Sequence, residues 1–353
     1  MSRPNKALIY NKVPTGLPIP GQDLVVKERS FNLDQQPPAG GATVRQLYVS
    51  LDPYMRGQMR DPTIKSYNQP YALGEPVTAF CLVQVVNSDH PKYQAGDLVF
   101  SRLAVEEYTI ATREDLDTNQ TYKIDNKYNL PLSNFVGILG MPGITAYASL
   151  YEIGAPKKGE TIFVSSAAGA VGQVVGQLAK REGLRVIGSV GDDEKLKFIT
   201  EELGFDGGFN YKKEKSADAL ARLAPDGVDI YYENVGGEQL EAALDAMNFF
   251  GRIIACGMVS QYNLAPEARY GIKNLFHVIS KRIKMQGFIQ GDPNMGPKYS
   301  KDRDEKVSAW LVDGSIKTKE DVTVGIENGP EAFVAMLSGK NKGKAALKIA
   351  DPE

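Results

Sequence analysis

The sequence predicts an α/β protein of two domains, one built on a doubly wound parallel sheet and one rich in short β-strands. The chain has 353 residues, whereas a single domain usually holds roughly 100 to 200. Residues 1–125 contain short apolar segments broken by Gly and Pro, which is typical of short strands. From Thr161 onward, strand patterns alternate with helix patterns, which indicates a parallel sheet covered by helices.

The β-rich domain is predicted to comprise residues 1–130 and 303–353. Its first part holds the strand-like segments KALIYNKV, DLVVKERSF, ATVRQLYVSL, TAFCLVQVV and AGDLVFSRLAVEEYTI. Residues 51–71 include three Pro and two Met, so we expect a long functional loop there. Its second part is expected to hold helices at 303–312 and 330–338 and a final strand, AALKIAD.

The second domain is predicted to comprise residues 131–302. Its strands are expected at 161–165 and 185–189 and in the segments FDGGFNY, GVDIYYENVGG, RIIACGM and IKMQGFIQ. Helical patterns lie between them, including a long one at 267–281. Six strands in this arrangement complete a Rossmann sheet, so the elements after residue 302 are assigned to the other domain.

The turn after the first of these strands has the pattern AxGxxG, formed by Ala167, Gly169 and Gly172. Gly at the second position lets the backbone approach a pyrophosphate, and Gly at the third lets the following helix pack closely on the strand. The helix N-terminus then offers N–H groups to the phosphates. One face of that helix is apolar at helical spacing: Val171, Val174, Val175, Leu178 and Ala179. The turn is therefore predicted to bind a dinucleotide; the alternative is a purely structural Gly-rich turn.

The end of the second strand favours NADPH over NADH. NAD-binding folds usually place an acidic residue there to accept hydrogen bonds from the ribose hydroxyls, but this strand ends in Gly188 and Ser189. Lys195 supplies a cation for a 2′-phosphate, and Tyr211 adds a hydroxyl donor. The alternative is that Lys195 is an ordinary solvated lysine, and Asp192 and Asp193 beside it weaken the argument for NADPH.

Composition excludes several classes of function. Two Cys and two His are too few for both a structural and a catalytic zinc site, so any catalysis is expected to work without zinc. The net charge of -2 gives no reason to expect nucleic acid or an anionic membrane as the partner. No apolar run approaches a membrane span, and the N-terminus has no targeting pattern. We therefore expect a cytoplasmic protein.

Long motifs in both domains resemble those of the zinc-independent medium-chain dehydrogenases/reductases. The motifs are YVSLDPYMRGQM, GILGMPGITAYASLYEIGAPKKGETIFVSSAAGAVGQVVGQLAK, FNYKK, ENVGG and CGMVSQYN. The chain is most similar to the alkenal/one oxidoreductases, which include plant double-bond reductases and the mammalian leukotriene B4 dehydrogenase/prostaglandin reductases. The resemblance implies a GroES-like substrate domain, a Rossmann domain, NADPH as cofactor, a homodimer, and reduction of a carbon–carbon double bond conjugated to a carbonyl group.

The resemblance also implies roles for individual residues. It assigns catalytic roles to Tyr262, next to the nicotinamide ribose and the substrate carbonyl, and to Tyr54, which it places at the substrate pocket. Together with the turn, the predicted cofactor-binding residues are Met141, Thr145, Ala168, Gly169, Ala170, Val171, Gly172, Gly188, Lys195, Tyr211, Asn234, Cys256, Gly257, Tyr262, Phe288 and Asn341.

The chemistry of a tyrosine hydroxyl agrees with this assignment. Hydride delivered to the β-carbon moves negative charge onto the carbonyl oxygen, and a hydrogen-bond donor aimed at that oxygen stabilises the enolate. Two alternatives remain: a quinone oxidoreductase with the same fold and cofactor, and a non-catalytic relative that keeps the nucleotide site. The substrate is expected to depend on the loop after Met59 and on residues 287–299, neither of which identifies it.

Overall fold

The structure is a computed structural model that describes residues 2–353. The chain divides into two compact units, residues 2–140 with 320–353 and residues 141–319. The assignment of substrate binding to one domain and cofactor binding to the other stays a prediction. Within residues 2–353, no helix is both long and apolar enough to span a membrane.

Residues 2–140 form strands and two short helices. The strands are β1 (Ser2–Tyr10), β2 (Leu24–Asn32), β3 (Ala42–Ser50), β4 (Thr78–Ser88), β5 (Leu98–Ala104), β6 (Tyr108–Ala111) and β7 (Tyr122–Lys123), and the helices are α1 (Tyr54–Gln58) and α2 (Arg113–Leu116). The loop expected at 51–71 is present, and α1 begins within it because the Asp52 carbonyl accepts the Met55 N–H. Thr112 caps α2 through a capping box with Asp115.

The second unit contains the predicted six-stranded parallel sheet. Its elements are α3 (Met141–Ser149), β8 (Thr161–Val164), α4 (Gly172–Arg181), β9 (Arg185–Val190), α5 (Asp193–Lys197), β10 (Gly207–Asn210), α6 (Ser216–Leu223), β11 (Val228–Glu233), α7 (Gly237–Ala246), β12 (Met247–Ala255), α8 (His277–Ser280), β13 (Lys284–Gly287) and α9 (Gly296–Val312). The strand order is β10-β9-β8-β11-β12-β13, and every neighbouring pair is parallel. This is the doubly wound order, with its switch between β8 and β11.

The long helix expected at 267–281 is wrong. Only a short 3-10 turn (Pro266–Ala268) and α8 form there. Apolar spacing alone suggested a helix, but Leu275, Phe276 and Ile279 are exposed and pack no continuous face against the sheet. The Asn274 side chain instead bonds to the Glu241 carbonyl in α7 at 2.8 Å, which anchors an irregular segment.

Residues 320–353 return to the sheet of the first unit. They form β14 (Glu320–Val324), α10 (Gly329–Leu337) and β15 (Lys344–Lys348). The sheet order is β14-β15-β3-β4-β5-β7, and β6 also pairs with β3. Only the β14–β15 pair of this sheet is parallel among the described strands. The final strand expected at AALKIAD is therefore β15, and β14 was not anticipated.

Candidate functional site

The turn between β8 and α4 is compact because Gly172 lies where the backbone of α4 comes closest to the backbone of the turn. Ser166 has a left-handed φ of 51°, and its carbonyl accepts the Gly169 N–H at 2.9 Å. A Cβ atom added at Gly172 would lie 2.4 Å from the Ser166 oxygen, so a larger residue does not fit where α4 begins. The Ala167 N–H donates to the Ser189 carbonyl and ties the turn to β9. The α4 N-terminus and the turn backbone therefore meet as a dinucleotide-binding turn requires.

Gly188 lies beneath this turn and has a packing role. It is buried in β9, where an added Cβ would approach the Ala167 Cβ to 2.6 Å and the Ile199 Cδ1 to 2.7 Å. The absence of a side chain lets the turn rest directly on the sheet. The neighbouring Ser189 hydroxyl is buried and donates to the Gln239 side chain at 2.6 Å. The sequence did not predict this contact of Gln239, because Ser189 lies 50 residues away in the chain.

Lys195 and Tyr211, the two residues predicted for the 2′-phosphate, both lie near the loop after β9. Asp192 accepts the Lys195 N–H at 2.8 Å and so caps α5. The Lys195 Nζ lies 3.6 Å from the same carboxylate, and its side chain is 12% exposed. A Cβ added at Gly191 would lie 3.2 Å from the Tyr211 hydroxyl, which places that hydroxyl beside the loop. A cation and a hydroxyl thus flank the end of β9.

The ENVGG turn is organised by the buried carboxyl group of Glu233. One of its oxygens accepts the N–H groups of Val235 and Gly236 at 2.6 and 2.8 Å and the Tyr231 hydroxyl at 2.9 Å. Burial raises the pKa of this carboxyl, and the hydrogen bonds offset part of the rise. The predicted site did not include Glu233, although a carboxylate at the end of an apolar strand was a visible signal.

Asn234 joins the ends of two neighbouring strands. Its N–H donates to the Ser165 hydroxyl at 2.8 Å, and its side-chain amide donates to the Ser165 carbonyl at 2.7 Å. Its own carbonyl accepts the Val259 N–H at 3.0 Å. Asn234 therefore links the segment after β8 to the one after β12.

Tyr262 folds back over the segment that follows β12. Its hydroxyl accepts the Met258 N–H at 3.1 Å, and a Cβ added at Gly257 would lie 3.0 Å from the hydroxyl oxygen. Gly257 therefore provides the space for this contact. A phenol hydroxyl that accepts one hydrogen bond still donates its own hydrogen. Burial raises the pKa of the nearby Cys256 thiol to about 12, so this thiol stays protonated at neutral pH.

The other predicted cofactor residues lie in separate places. Thr145 bonds to the Met141 carbonyl at 2.7 Å and contacts its sulfur at 3.3 Å, so the two side chains form one patch on α3. Phe288 directly follows β13 and is partly buried. Asn341 lies in the first unit, in the loop before β15, where its side-chain amide donates to the Gly343 carbonyl at 2.6 Å. The cofactor roles of these residues stay predictions.

Tyr54 begins α1 in the first unit, beside an ion pair that sequence analysis missed. The Lys344 Nζ donates to the Asp52 carboxylate at 3.1 Å and to the carbonyls of Leu51 and Ala345 at 2.7 Å each. Lys344 and Asp52 are both buried. The ion pair fixes the residues just before Tyr54 against the C-terminal strand β15.

Two family models match the chain. The one described as "N-terminal domain of oxidoreductase" matches residues 6–118, and the one described as "Zinc-binding dehydrogenase" matches residues 170–303. In the part of the chain that the structure describes, no group of three or more His, Cys, Asp or Glu side chains could hold a metal ion. Zinc-independent chemistry stays a prediction from the residue counts.

Named relatives match along nearly the whole chain. The chain is 53% identical over 347 residues to the NADP-dependent oxidoreductase RED1 of Cochliobolus heterostrophus, with 98% of each covered. It is 44% identical over 348 residues to the NADP(+)-dependent 2-alkenal reductase of Nicotiana tabacum, again with 98% of each covered. The crystal structure of CurA in complex with NADPH from Vibrio vulnificus matches with a TM-score of 0.88 and 35% identity, over 98% of this chain and 100% of that one. Identity at this level over both units means that the chain belongs to the alkenal/one oxidoreductase family of the medium-chain dehydrogenases/reductases.

Proposed function

We propose that this protein uses NADPH to reduce the carbon–carbon double bond of α,β-unsaturated aldehydes and ketones. Similarity to a 2-alkenal reductase over 98% of both chains supports the reaction class. Similarity to a structure that contains NADPH supports the cofactor. The structural observation that carries the chemistry is the Tyr262 hydroxyl, which the Met258 N–H orients at the end of β12.

The residues of the second unit fit a dinucleotide. No side chain fits at Gly172, where α4 begins, because an added Cβ would lie 2.4 Å from the Ser166 oxygen, and a close backbone approach of this kind is typical of a turn that binds a pyrophosphate. Lys195 and Tyr211 would hold the 2′-phosphate, and Met141 with Thr145 would line the nicotinamide. When bound, the cofactor supplies the hydride. In this proposal the protein orients the cofactor towards the substrate and stabilises the negative charge that develops on the carbonyl oxygen when the hydride is transferred.

Tyr262 is the proposed enolate-stabilising residue. Its hydroxyl accepts the Met258 N–H, and a hydroxyl that accepts a hydrogen bond can also donate one; we assign this donation to the substrate carbonyl oxygen. A donor that already accepts a hydrogen bond is polarised and donates more strongly. We also propose that the protein is a cytoplasmic homodimer and that it works without zinc. If it needs no zinc, its activity should be unchanged after incubation with EDTA.

The test combines a substrate panel with one variant. The protein is incubated with NADPH and enals, enones or quinones; cofactor oxidation is followed by absorbance, and products are identified by mass spectrometry. We expect saturated aldehydes and ketones as products. Tyr262→Phe should lower turnover about ten-fold or more, as loss of one oxyanion donor does. Tyr270→Phe is the matched control because that ring is exposed in the same unit.

Other outcomes separate the alternatives. Oxidation of NADPH by quinones alone would favour the quinone oxidoreductase, and no oxidation with any compound would favour a non-catalytic relative. Unchanged turnover in Tyr262→Phe would remove this residue from the mechanism.

A further inference from the structure

The ENVGG turn, at the end of β11, holds the segment that carries Tyr262. Three successive carbonyl groups of this turn accept N–H groups of residues 256–260 at 3.0 Å: Glu233 from Cys256 and Gly257, Asn234 from Val259, and Val235 from Ser260. The remaining N–H group in this range, that of Met258, donates to the Tyr262 hydroxyl at 3.1 Å. The turn therefore fixes the backbone on both sides of an N–H group that binds this hydroxyl.

The Glu233 carboxyl group fixes the turn itself. One oxygen of this carboxyl accepts the Val235 N–H at 2.6 Å and the Gly236 N–H at 2.8 Å. Val235 thus donates to the carboxyl through its N–H, while its carbonyl accepts both the N–H of Ser260 and, at 2.6 Å, the Ser260 hydroxyl. Gly236 has a left-handed φ of 74°, which glycine adopts at little cost. A continuous series of hydrogen bonds therefore runs from the buried carboxyl through Val235 to the segment that carries Tyr262.

The two oxygen atoms of this carboxyl have different surroundings. The oxygen that binds the turn, Oε1, also accepts the Tyr231 hydroxyl at 2.9 Å, and the Ser165 hydroxyl lies 3.4 Å from it. The other oxygen, Oε2, is buried, and within residues 2–353 it has no hydrogen-bond partner. Glu233 is thus arranged to bind the turn through one oxygen. A neutral amide oxygen at this position would accept the same hydrogen bonds less strongly than a carboxylate oxygen does.

We propose that Glu233 is a positioning residue for Tyr262: by fixing the ENVGG turn it sets the position of the Met258 N–H group and, through that group, the direction of the Tyr262 hydroxyl. The inference rests on the proposed function, in which this hydroxyl donates to the substrate carbonyl oxygen. Stabilisation of an enolate depends on where the donor points, so a displaced hydroxyl should lower turnover. Glu233 itself is fully buried, so in this proposal it acts through Tyr262 and not by contact with the substrate.

The variants compare two carboxyl groups of the same strand. Glu233→Gln keeps one acceptor for the turn with a weaker hydrogen bond, and Glu233→Met removes it. Asp229→Asn is the matched control, because the Asp229 carboxylate lies near the start of β11 and likewise accepts a backbone N–H, that of Thr161 at 2.8 Å. Its other oxygen accepts the Asn248 side-chain amide at 2.9 Å. Thermal unfolding of each variant confirms that it is folded, and Glu233→Gln alone carries the test if Glu233→Met is not folded.

Fluorine NMR tests the positioning without turnover. The protein is labelled with 3-fluorotyrosine, and the resonance that is missing from the spectrum of Tyr262→Phe belongs to Tyr262. Glu233→Gln and Glu233→Met should shift or broaden this resonance, with the larger effect in Glu233→Met, and Asp229→Asn should leave it unchanged. An unchanged Tyr262 resonance in the folded Glu233 variants would overturn the inference.

A double-mutant cycle tests whether Glu233 acts on the reaction through Tyr262. Glu233→Gln should lower kcat for enone reduction about five-fold or more in the wild-type background and less than about two-fold in the Tyr262→Phe background, because the effects of coupled residues are not additive. A purely structural loss would lower kcat by the same factor in both backgrounds, and that outcome would overturn the inference. Asp229→Asn should change kcat in neither background.

The two experiments separate failure of this inference from failure of the proposed function. If the wild type reduces no enone, or if Tyr262→Phe turns over as fast as the wild type, the proposed function or the proposed role of Tyr262 fails, and the fluorine spectra alone decide whether Glu233 positions Tyr262. Reduction of enones with equal losses in the two backgrounds would leave the proposed function standing and remove the role of Glu233.

Discussion

At the scale of single residues, the acidic residues next to Lys195 affect whether this lysine can bind a 2′-phosphate. Asp192 and Asp193 would oppose a 2′-phosphate if their carboxylates were free, but both accept hydrogen bonds within the fold. Asp192 caps α5. Asp193 accepts hydrogen bonds from Asn210 at 2.8 Å and from Lys213 at 2.5 Å, and these bonds lower the pKa of its carboxyl. Asp192, whose carboxylate lies 3.6 Å from the Lys195 Nζ, is the acidic group nearest to this lysine.

Replacement of this lysine tests the cofactor preference. Lys195→Ala should raise the Michaelis constant for NADPH far more than that for NADH, because only NADPH carries the 2′-phosphate. Steady-state kinetics with both cofactors give the comparison. Lys197→Ala is the matched control, since Lys197 is exposed on the same helix. Equal changes in the Michaelis constants for the two cofactors would show that Lys195 does not bind the 2′-phosphate.

At the scale of elements, the β8 turn and α4 form a unit whose geometry depends on one glycine. The spacing of apolar residues predicts that α4 lies on the sheet, and the buried face of α4 agrees. How closely the helix approaches depends on backbone contacts that only the structure gives. At Gly172 even a methyl group would meet the Ser166 carbonyl.

Gly172→Ala should therefore destabilise the protein by about 1 to 3 kcal/mol, the usual cost of overpacking, and should weaken NADPH binding. Urea unfolding and calorimetry measure the two effects. Gly271→Ala is the control, because a Cβ there meets nothing within 4 Å. If both variants were as stable as the wild type, the turn would tolerate a side chain at residue 172, and the close contact between Gly172 and the Ser166 carbonyl would not be needed for stability.

At the scale of the whole molecule, the chain returns to complete a sheet that it began about 300 residues earlier. Leu347 in β15 pairs with Val49 in β3, and Lys344 binds Asp52 nearby. The conformation of the residues that precede Tyr54 therefore depends on the C-terminal segment.

Lys344→Met should lower the free energy of unfolding by about 3 to 5 kcal/mol, because it leaves the Asp52 charge buried without its partner. The double variant Asp52→Asn/Lys344→Met should recover part of this loss. Denaturant unfolding of the wild type, Asp52→Asn, Lys344→Met and the double variant gives the coupling energy, with Lys340→Met as an exposed control. Additive losses would mean that the two side chains act independently.

The sequence by itself determined the parallel sheet, the AxGxxG turn and the family, because each is a local pattern of period, glycine or motif, whereas the roles of Lys195 and Tyr262 stay predictions. It did not determine β14, the irregular segment at 267–281, or the pairings of Asp52 with Lys344 and Asn234 with Ser165. It also did not reveal that carbonyl groups of the ENVGG turn bind the N–H groups of residues 256–260. These contacts join residues that are distant in the chain, and their partners are chosen by sheet register and burial. Only the tertiary structure decided them.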